Sequence, residues 1–409
     1  MHGHNQVVVI GAGAAGVFAA IAAAEQGAQV RVLERTRQPL GKVKISGGGR
    51  CNVTHACFEP ATLIQFYPRG GVALRGPFTR FGPRETVEWF EARGVRLKTE
   101  ADGRIFPTTD DSQTIIDCLL TAARRAGVQF EYDVHVTAIE KMAAGFALEL
   151  SERQPLHAER LLLATGSNAQ GWAWAKQLGH TLTPPVPSLF TFNIKDKTLN
   201  ALAGISVPNM QATLTANEQT FMQAGPLLIT HWGVSGPAIL KLSAWAARAL
   251  NQARYRATVQ INWWPARTLP AVLEELQALK RAHPKRRVLA EGFGPMPQRL
   301  WVWLARTADV AEEARWAELS KSDLQRLAER LGRCELAVSG KGVFKDEFVT
   351  CGGVDLDEVN FRTLESRVCP GLYFAGEVLD SDGLTGGFNF QNAWTTGWLA
   401  GMAMGDVIR

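Results

Sequence analysis

The run Val7 to Gly16, VVVIGAGAAG, constrains this chain more than any other feature. Its first four residues are apolar and β-branched, as in a buried strand. Glycines at 11, 13 and 16 then mark a tight turn, and the Ala-rich stretch beyond reads as a helix. In such a unit Gly11 permits the turn and Gly13 lets the backbone approach a pyrophosphate. Gly16 lets the helix lie close on the sheet. The helix start, with Ala14 and Ala15 in its first turn, offers unpaired N–H groups and a positive dipole end to an anion. A second apolar run, QVRVLE, ends on Glu34, with Arg35 beside it. An acid about 20 residues past the glycines suits ribose hydroxyls and disfavours a 2′-phosphate. The chain is expected to bind FAD or NAD(H).

The far end of the sequence favours FAD. PGLYFAGEVLD, residues 370–380, reads as a short buried strand closing on Gly376, Glu377 and Asp380. SDGLTGGFNFQ follows with Asp382, Gly386, Gly387, Phe388 and Asn389, and leads into the helix-like AWTTGWLAGMAM. Flavoproteins of the glutathione-reductase structural class return in this way, and an NAD-only enzyme has no need to. On this reading the flavin ring meets the amides of Gly386 and Gly387, and Asp380 and Asp382 flank the ribityl chain. Asp382 reads equally as a loop-closing turn residue. Glu377 reads as a structural acid near the flavin tail, and Asn389 and Gln391 as caps or flavin contacts.

Four segments carry a more specific likeness: SGGGRCNVT (46–54), GPLLITHWGVSGPAI (225–239), VTCGGV (349–354) and the C-terminal FAGEVLDSDG with GGFNFQ. In these the chain resembles the BaiN/RdsA family of FAD-dependent oxidoreductases, most closely a shorter and mostly uncharacterised subgroup. The resemblance implies a flavin reductase of conjugated carbon–carbon double bonds, acting on a steroid-like enone or on a uridine of ribosomal RNA. It also places the SGGGRCN loop along the cofactor. Ser46, Gly47, Gly48 and Gly49 would give backbone contacts and Arg50 a phosphate, flavin or substrate contact, with Cys51 and Asn52 near the reactive edge. The chain departs from the family pattern at His55 (usually Asn), Pro226 (usually Glu), Phe388 (often Tyr) and Phe390 (often Leu). These changes bear on substrate more than on cofactor.

Flavin supplies hydride, so the protein must hold the acceptor and deliver a proton. His231, on the glycine-bounded THWGVSGP turn, is the first candidate, and its side-chain type suits proton transfer near neutrality. A turn histidine bonded to backbone is the competing reading. Cys51 is the second candidate, against a role as a small packed residue. One dinucleotide motif is present, since Gly340-Lys341-Gly342 lacks the third glycine. NAD(P)H, if it is the donor, visits transiently.

Six cysteines, none in a C-x-x-C pair or in zinc-like spacing with His, argue for reduced thiols and no metal. Flavin-to-disulfide transfer is thereby disfavoured. The Ala12 to Ala24 stretch is too short to span a bilayer and lacks signal-peptide flanks. A cytoplasmic protein without a membrane partner is expected. The formal charge of +5 is mild for 409 residues, and DNA is not an expected partner. Lys280-Arg-Ala-His-Pro-Lys-Arg-Arg287 reads first as a solvated helix end and second as a phosphate-contacting patch for RNA. The twelve tryptophans read first as core and second as base-stacking platforms. Substrate is thus a small molecule or RNA, with a redox sensor and a substrate-oxidising dehydrogenase as rivals.

Alternating strand- and helix-like runs define an α/β class: a glutathione-reductase-like, Rossmann-type FAD domain with an inserted, barrel-like β-rich domain and a helical subdomain. The FAD domain is expected to be discontinuous (1–186 and 337–409), around a β-rich insert (187–265) and the helical part (266–336). Val134 opens a strand counted with the cofactor contacts. RLLLATG (160–166) is a buried strand whose Ala164, Thr165 and Gly166 turn toward the dinucleotide. Pro184-Pro-Val-Pro187 is expected to be a hinge.

Overall fold

The computed structural model describes residues 6–342 and 349–406. Residues 1–5, 343–348 and 407–409, which include ends of the FAD-domain ranges given above, lie outside the described residues. The chain divides into two compact units, 6–185 with 349–406 and 186–342.

The first unit is built on a seven-stranded sheet. Its parallel part orders Leu372–Phe374, Arg160–Leu163, β1 (Gln6–Ile10), β2 (Gln29–Leu33) and Gln129–Glu131, and two short antiparallel strands, Val359–Asn360 and Glu365–Ser366, extend the first edge. The strands are near-continuous apolar runs because both faces are covered. Val7, Val8, Val9, Val32 and Leu161–Leu163 are all buried. Helix α1 (Ala14–Glu25) covers one face, and the C-terminal helix Phe388–Gly405 lies against α1. Both helices carry small residues at four-residue spacing, which lets their backbones approach. A Cβ on Gly397 would stand 2.6 Å from the Ala15 carbonyl oxygen, and one on Gly405 2.8 Å from that of Ala23; Gly401 is tighter still against Ala19. The pairs run in the same direction along both chains, so the helices are parallel.

The second unit is a closed six-stranded barrel, in the order Phe192–Ile194, Gly233–Ser235, Gln219–Thr230, Ser206–Ala216, Ala257–Asn262 and Cys334–Lys341. The insert was therefore ended too early at residue 336: Cys334, Leu336 and Val338 point inward at period two and complete the barrel beside Ala257–Asn262. The helices Leu269–Ala282, Gln298–Thr307 and Lys321–Gly332 do not form a separate subdomain. Their Leu276, Trp301, Leu304 and Leu327 share one core with the barrel's Leu214, Ile229 and Val259. Pro184 to Pro187 lie within an extended strand, Leu182–Ser188, and the boundary between the two units falls among them. No helix among the described residues is long and apolar enough to cross a membrane.

Candidate cofactor and active site

Parallel strands end on one edge, so their C-terminal turns gather there. Gly11 follows β1 with φ +107°, and a Cβ on it would come within 2.5 Å of the Ala164 carbonyl oxygen. Gly16 would collide with the Gly11 carbonyl. Both are glycines because protein backbone occupies the space. Gly13 is different. A Cβ there meets nothing within 4 Å, which leaves room at the α1 N-terminus for a group that is not protein.

Glu34 stands at the tip of β2, as expected. Its Oε2 accepts from the Ala12 N–H (2.8 Å), and its Oε1 accepts from the Thr36 N–H (2.9 Å) and hydroxyl (2.8 Å). The carboxylate is held beside the glycine turn, while Arg35 is exposed. Val134 is buried, its N–H donating to the Glu34 carbonyl (3.0 Å). Thr165 has a buried hydroxyl without a hydrogen-bond partner. It packs against Gly171, where a Cβ would stand 1.9 Å from the hydroxyl oxygen. Gly166, with φ +58°, turns the loop beneath Glu377.

The SGGGRCN loop is the bend of a broken helix, Gly41–Gly49. Ser46 is extended, and Gly47, Gly48 and Gly49 take φ of +58°, +69° and +84°, a region that suits glycine. Gly48 and Gly49 face open space. Arg50, Cys51 and Asp382 are each engaged with protein groups. The Arg50 guanidinium is held by Glu100 (2.7 Å) and Asp110 (3.4 Å) and lies 4.0 Å over the Phe106 ring, so it is engaged inside the protein. Cys51 is fully buried, and burial pushes its thiol up to about 12. That removes it from the groups that can meet a substrate. Asp382 is fully buried in a two-point pair with Arg69 (Nε to Oδ1 2.6 Å), and serves the loop rather than a ribityl chain.

The loop before the C-terminal helix is closed internally. Asn389 accepts from the Gly383 N–H and donates to its carbonyl, each at 2.8 Å. With the Asn52 amide assigned from its partners, its oxygen caps the Gly387 N–H at 2.9 Å, so that N–H is satisfied within the protein. Asp380 is half-buried, its N–H donating to the Val354 carbonyl (3.0 Å). Gly376 packs on Ala15, bringing Glu377 to the α1 start. Glu377 then accepts from Lys42 (2.5 Å) and from the Thr350 N–H (3.1 Å), and Lys42 also donates to Ser167 (3.2 Å). Glu377 is thus paired within the protein beside the α1 start. Lys42 escaped the sequence reading because nothing local marks its distant partner.

The helix pairing sets the length of the site. Gly397 meets Ala15 in the first turn of α1, so the C-terminal helix starts about 12 Å before α1 does, at 1.5 Å per residue. Its stripe continues through Ala393 and Asn389, both partly exposed. A cradle of this kind has one helix start for a pyrophosphate and a second, offset helix start for an extended tail. The open positions at Gly13, Gly48 and Gly49 and the placed Glu34 fit FAD.

His231 belongs to the second unit, exposed at the tip of the hairpin between Gln219–Thr230 and Gly233–Ser235. Three residues of the basic run are engaged with protein groups. Arg286 pairs with Glu291, Arg287 with Glu313 (2.7 Å), and Lys280 donates to the Leu319 carbonyl. Trp263, Trp301 and Trp303 are buried in the barrel core and Trp264 packs at its edge.

Residues 5–403 match the HI0933-like protein Rossmann domain. A 3-dehydro-bile acid delta(4,6)-reductase of Clostridium scindens is 30% identical, covering 98% of this chain and 99% of that one. A ribosomal RNA dihydrouridine synthase of Escherichia coli is 31% identical, with 96% of each covered. Among solved structures, a 3-ketosteroid-Δ4-(5α)-dehydrogenase from Rhodococcus jostii RHA1 shares the fold with a TM-score of 0.53 at 16% identity, over 98% of this chain and 97% of that one. The likeness runs end to end and includes both units, and the chain belongs to the HI0933-like family of BaiN/RdsA oxidoreductases.

Proposed function

We propose that this protein is an NAD(P)H-fuelled, FAD-dependent reductase of an activated carbon–carbon double bond in a small, flat acceptor. One observation carries the reading: two full-length relatives named for different substrates share one chemistry, reduction of a double bond conjugated to a carbonyl. FAD, when bound, supplies the hydride. The chain's own residues hold the cofactor through the Gly11–Gly16 turn, Glu34 and the Gly47–Gly49 bend. Of the two candidates for the proton donor, Cys51 is fully buried and is set aside. The burial of Trp263, Trp301 and Trp303 removes those rings as base-stacking platforms and supports a small acceptor over structured RNA.

The test is anaerobic titration of the flavin-loaded protein with NADH and NADPH, followed by reoxidation with enones, quinones and ribosomal RNA. Bleaching by a dinucleotide and reoxidation by an enone or quinone is expected. No bleaching by either donor sinks the reductase reading, and reoxidation by RNA alone sinks the small-acceptor part.

A further inference from the structure

Three chain segments surround the start of α1, and each is tied to it separately. Leu40, which opens the broken helix, donates its N–H to the Ala12 carbonyl (2.8 Å). The turn at Ala164 packs on Gly11, where a Cβ would stand 2.5 Å from the Ala164 carbonyl oxygen. Gly376 packs on Ala15, and a Cβ on it would stand 2.9 Å from that of Ala15. One side chain joins all three segments. The Lys42 ammonium, two residues past Leu40, donates to Glu377 Oε2 (2.5 Å) and to Ser167 Oγ (3.2 Å). Glu377 is fixed in turn by the Thr350 N–H, which donates to its Oε1 (3.1 Å).

An ammonium carries three N–H donors, and these bonds use two of them. The Lys42 side chain is 58% exposed, so the third is open to a ligand. The charge at the helix start calls for such a group. Glu34 and Glu377 both bring carboxylates there. Arg50, the cation that the sequence offers to a phosphate, is held by Glu100 and Asp110 instead. The pyrophosphate of FAD is a dianion. A helix start supplies about half an elementary charge, which does not offset a dianion beside two acids.

We propose that Lys42 is a cofactor-binding residue, whose ammonium supplies the pyrophosphate of FAD with a full positive charge and an N–H donor. Glu377 and Ser167 hold that ammonium at the helix start. Glu377 is itself an anion, so it positions the lysine while its charge opposes the cofactor. The two residues therefore act on FAD with opposite sign. Glutamine at 377 can still accept from Lys42 and from the Thr350 N–H, so Glu377→Gln removes the charge and keeps the bonds. A purely structural ion pair behaves differently: loss of either partner would weaken FAD alike.

The experiment titrates FAD into the FAD-free protein, read by flavin fluorescence at low and at high salt. The melting temperature of the free protein is followed in parallel. Lys42→Met is expected to weaken FAD about tenfold or more, the scale of one hydrogen bond to a charged group. It is also expected to flatten the salt dependence, because a screened attraction has been removed. Lys42→Arg, which keeps the charge, is expected to recover most of the affinity and the salt dependence. Glu377→Gln is expected to tighten FAD about two- to fivefold, the scale of one partly exposed charge pair. Unchanged FAD affinity in Lys42→Met would overturn the proposal. So would Glu377→Gln protein that binds FAD as wild type does or more weakly, since the pair would then be structural. If Lys42→Met does not fold, the sign of the Glu377→Gln effect decides.

Discussion

Gly397 lies so close to Ala15 that a methyl group on it would stand 2.6 Å from the Ala15 carbonyl oxygen. The contact sets how far the C-terminal helix overhangs α1, and so the length of the cofactor cradle. Gly397→Ala must push the helices apart, and overpacking of this kind costs about 1–3 kcal/mol. A urea melt of the FAD-free protein is expected to show that loss. FAD affinity is expected to fall as well, because the two helix starts move relative to each other. Unchanged stability would mean that the helices separate freely and the spacing is not enforced.

The Arg69–Asp382 pair is expected to behave as a buried ion pair. The Asp382 side chain is fully buried and that of Arg69 is 11% exposed. Asp382→Asn leaves a guanidinium without its counter-charge, at about 3–5 kcal/mol. Arg69→Met strands the carboxylate and is expected to cost a similar amount. Combining Arg69→Met with Asp382→Leu is expected to recover most of the loss. A double-mutant cycle by chemical denaturation measures this. Additive single-site losses would return Asp382 to the pool of cofactor ligands.

Much of the first unit was legible in local patterns. VVVIGAGAAG places its own strand, turn and helix; in the second unit, the alternation in CELAVSG marks a barrel strand only through its partner Ala257–Asn262. The roles of Arg50 and Asp382 were not legible. Each is decided by a partner far along the chain, Glu100 for one and Arg69 for the other. A motif names a residue type for a site, but long-range pairing decides whether its charge remains available. The stripes Ala15/Ala19/Ala23 and Gly397/Gly401/Gly405 are visible separately, and their register appears only when the sheet brings the helices together.

Acid is expected to weaken the first unit through His180. The ring is buried, with Nδ1 3.0 Å from Glu358 and Nε2 2.8 Å from Ser366. Burial lowers its pKa below the ordinary 6.5, and nearby Glu358 only partly offsets this. The unfolded chain therefore binds the proton first. This contribution to stability is full above about pH 6.5 and is lost as the pH falls toward the folded-state value. Glu358 is also lowered: burial, which alone would raise it, is outweighed by the Thr181 N–H and His180. Its contribution likewise fades on acidification. Denaturation between pH 7.5 and 5 is expected to show a falling midpoint, flattened in His180→Gln. An equal slope in that variant would assign the effect elsewhere.

Cys51→Ala is expected to leave reduction of the acceptor within about twofold of wild type, since a thiol held near 12 and fully buried does not deliver the proton. The native protein at pH 7.5 is expected to resist alkylation at Cys51 by iodoacetamide, read by peptide mass spectrometry. A drop in turnover of a hundredfold or more, the scale expected for a proton donor, with FAD retained, would restore Cys51 as that donor.

Gly13 and Gly16 separate cofactor space from packing space within one turn of helix. A Cβ on Gly13 meets no protein atom within 4 Å, whereas one on Gly16 strikes the Gly11 carbonyl. Gly13→Val is therefore expected to fold, with a melting temperature of the FAD-free protein within a few degrees of wild type. Its flavin occupancy is expected to collapse, because the valine fills the approach to the helix start. Gly16→Val is expected to lose both, with a folding defect that excess FAD does not rescue. The two measurements, apo melting temperature and FAD affinity by flavin fluorescence, distinguish these outcomes. Full occupancy in Gly13→Val would remove the α1 N-terminus from the cofactor site, and with it the assignment of this cradle to FAD.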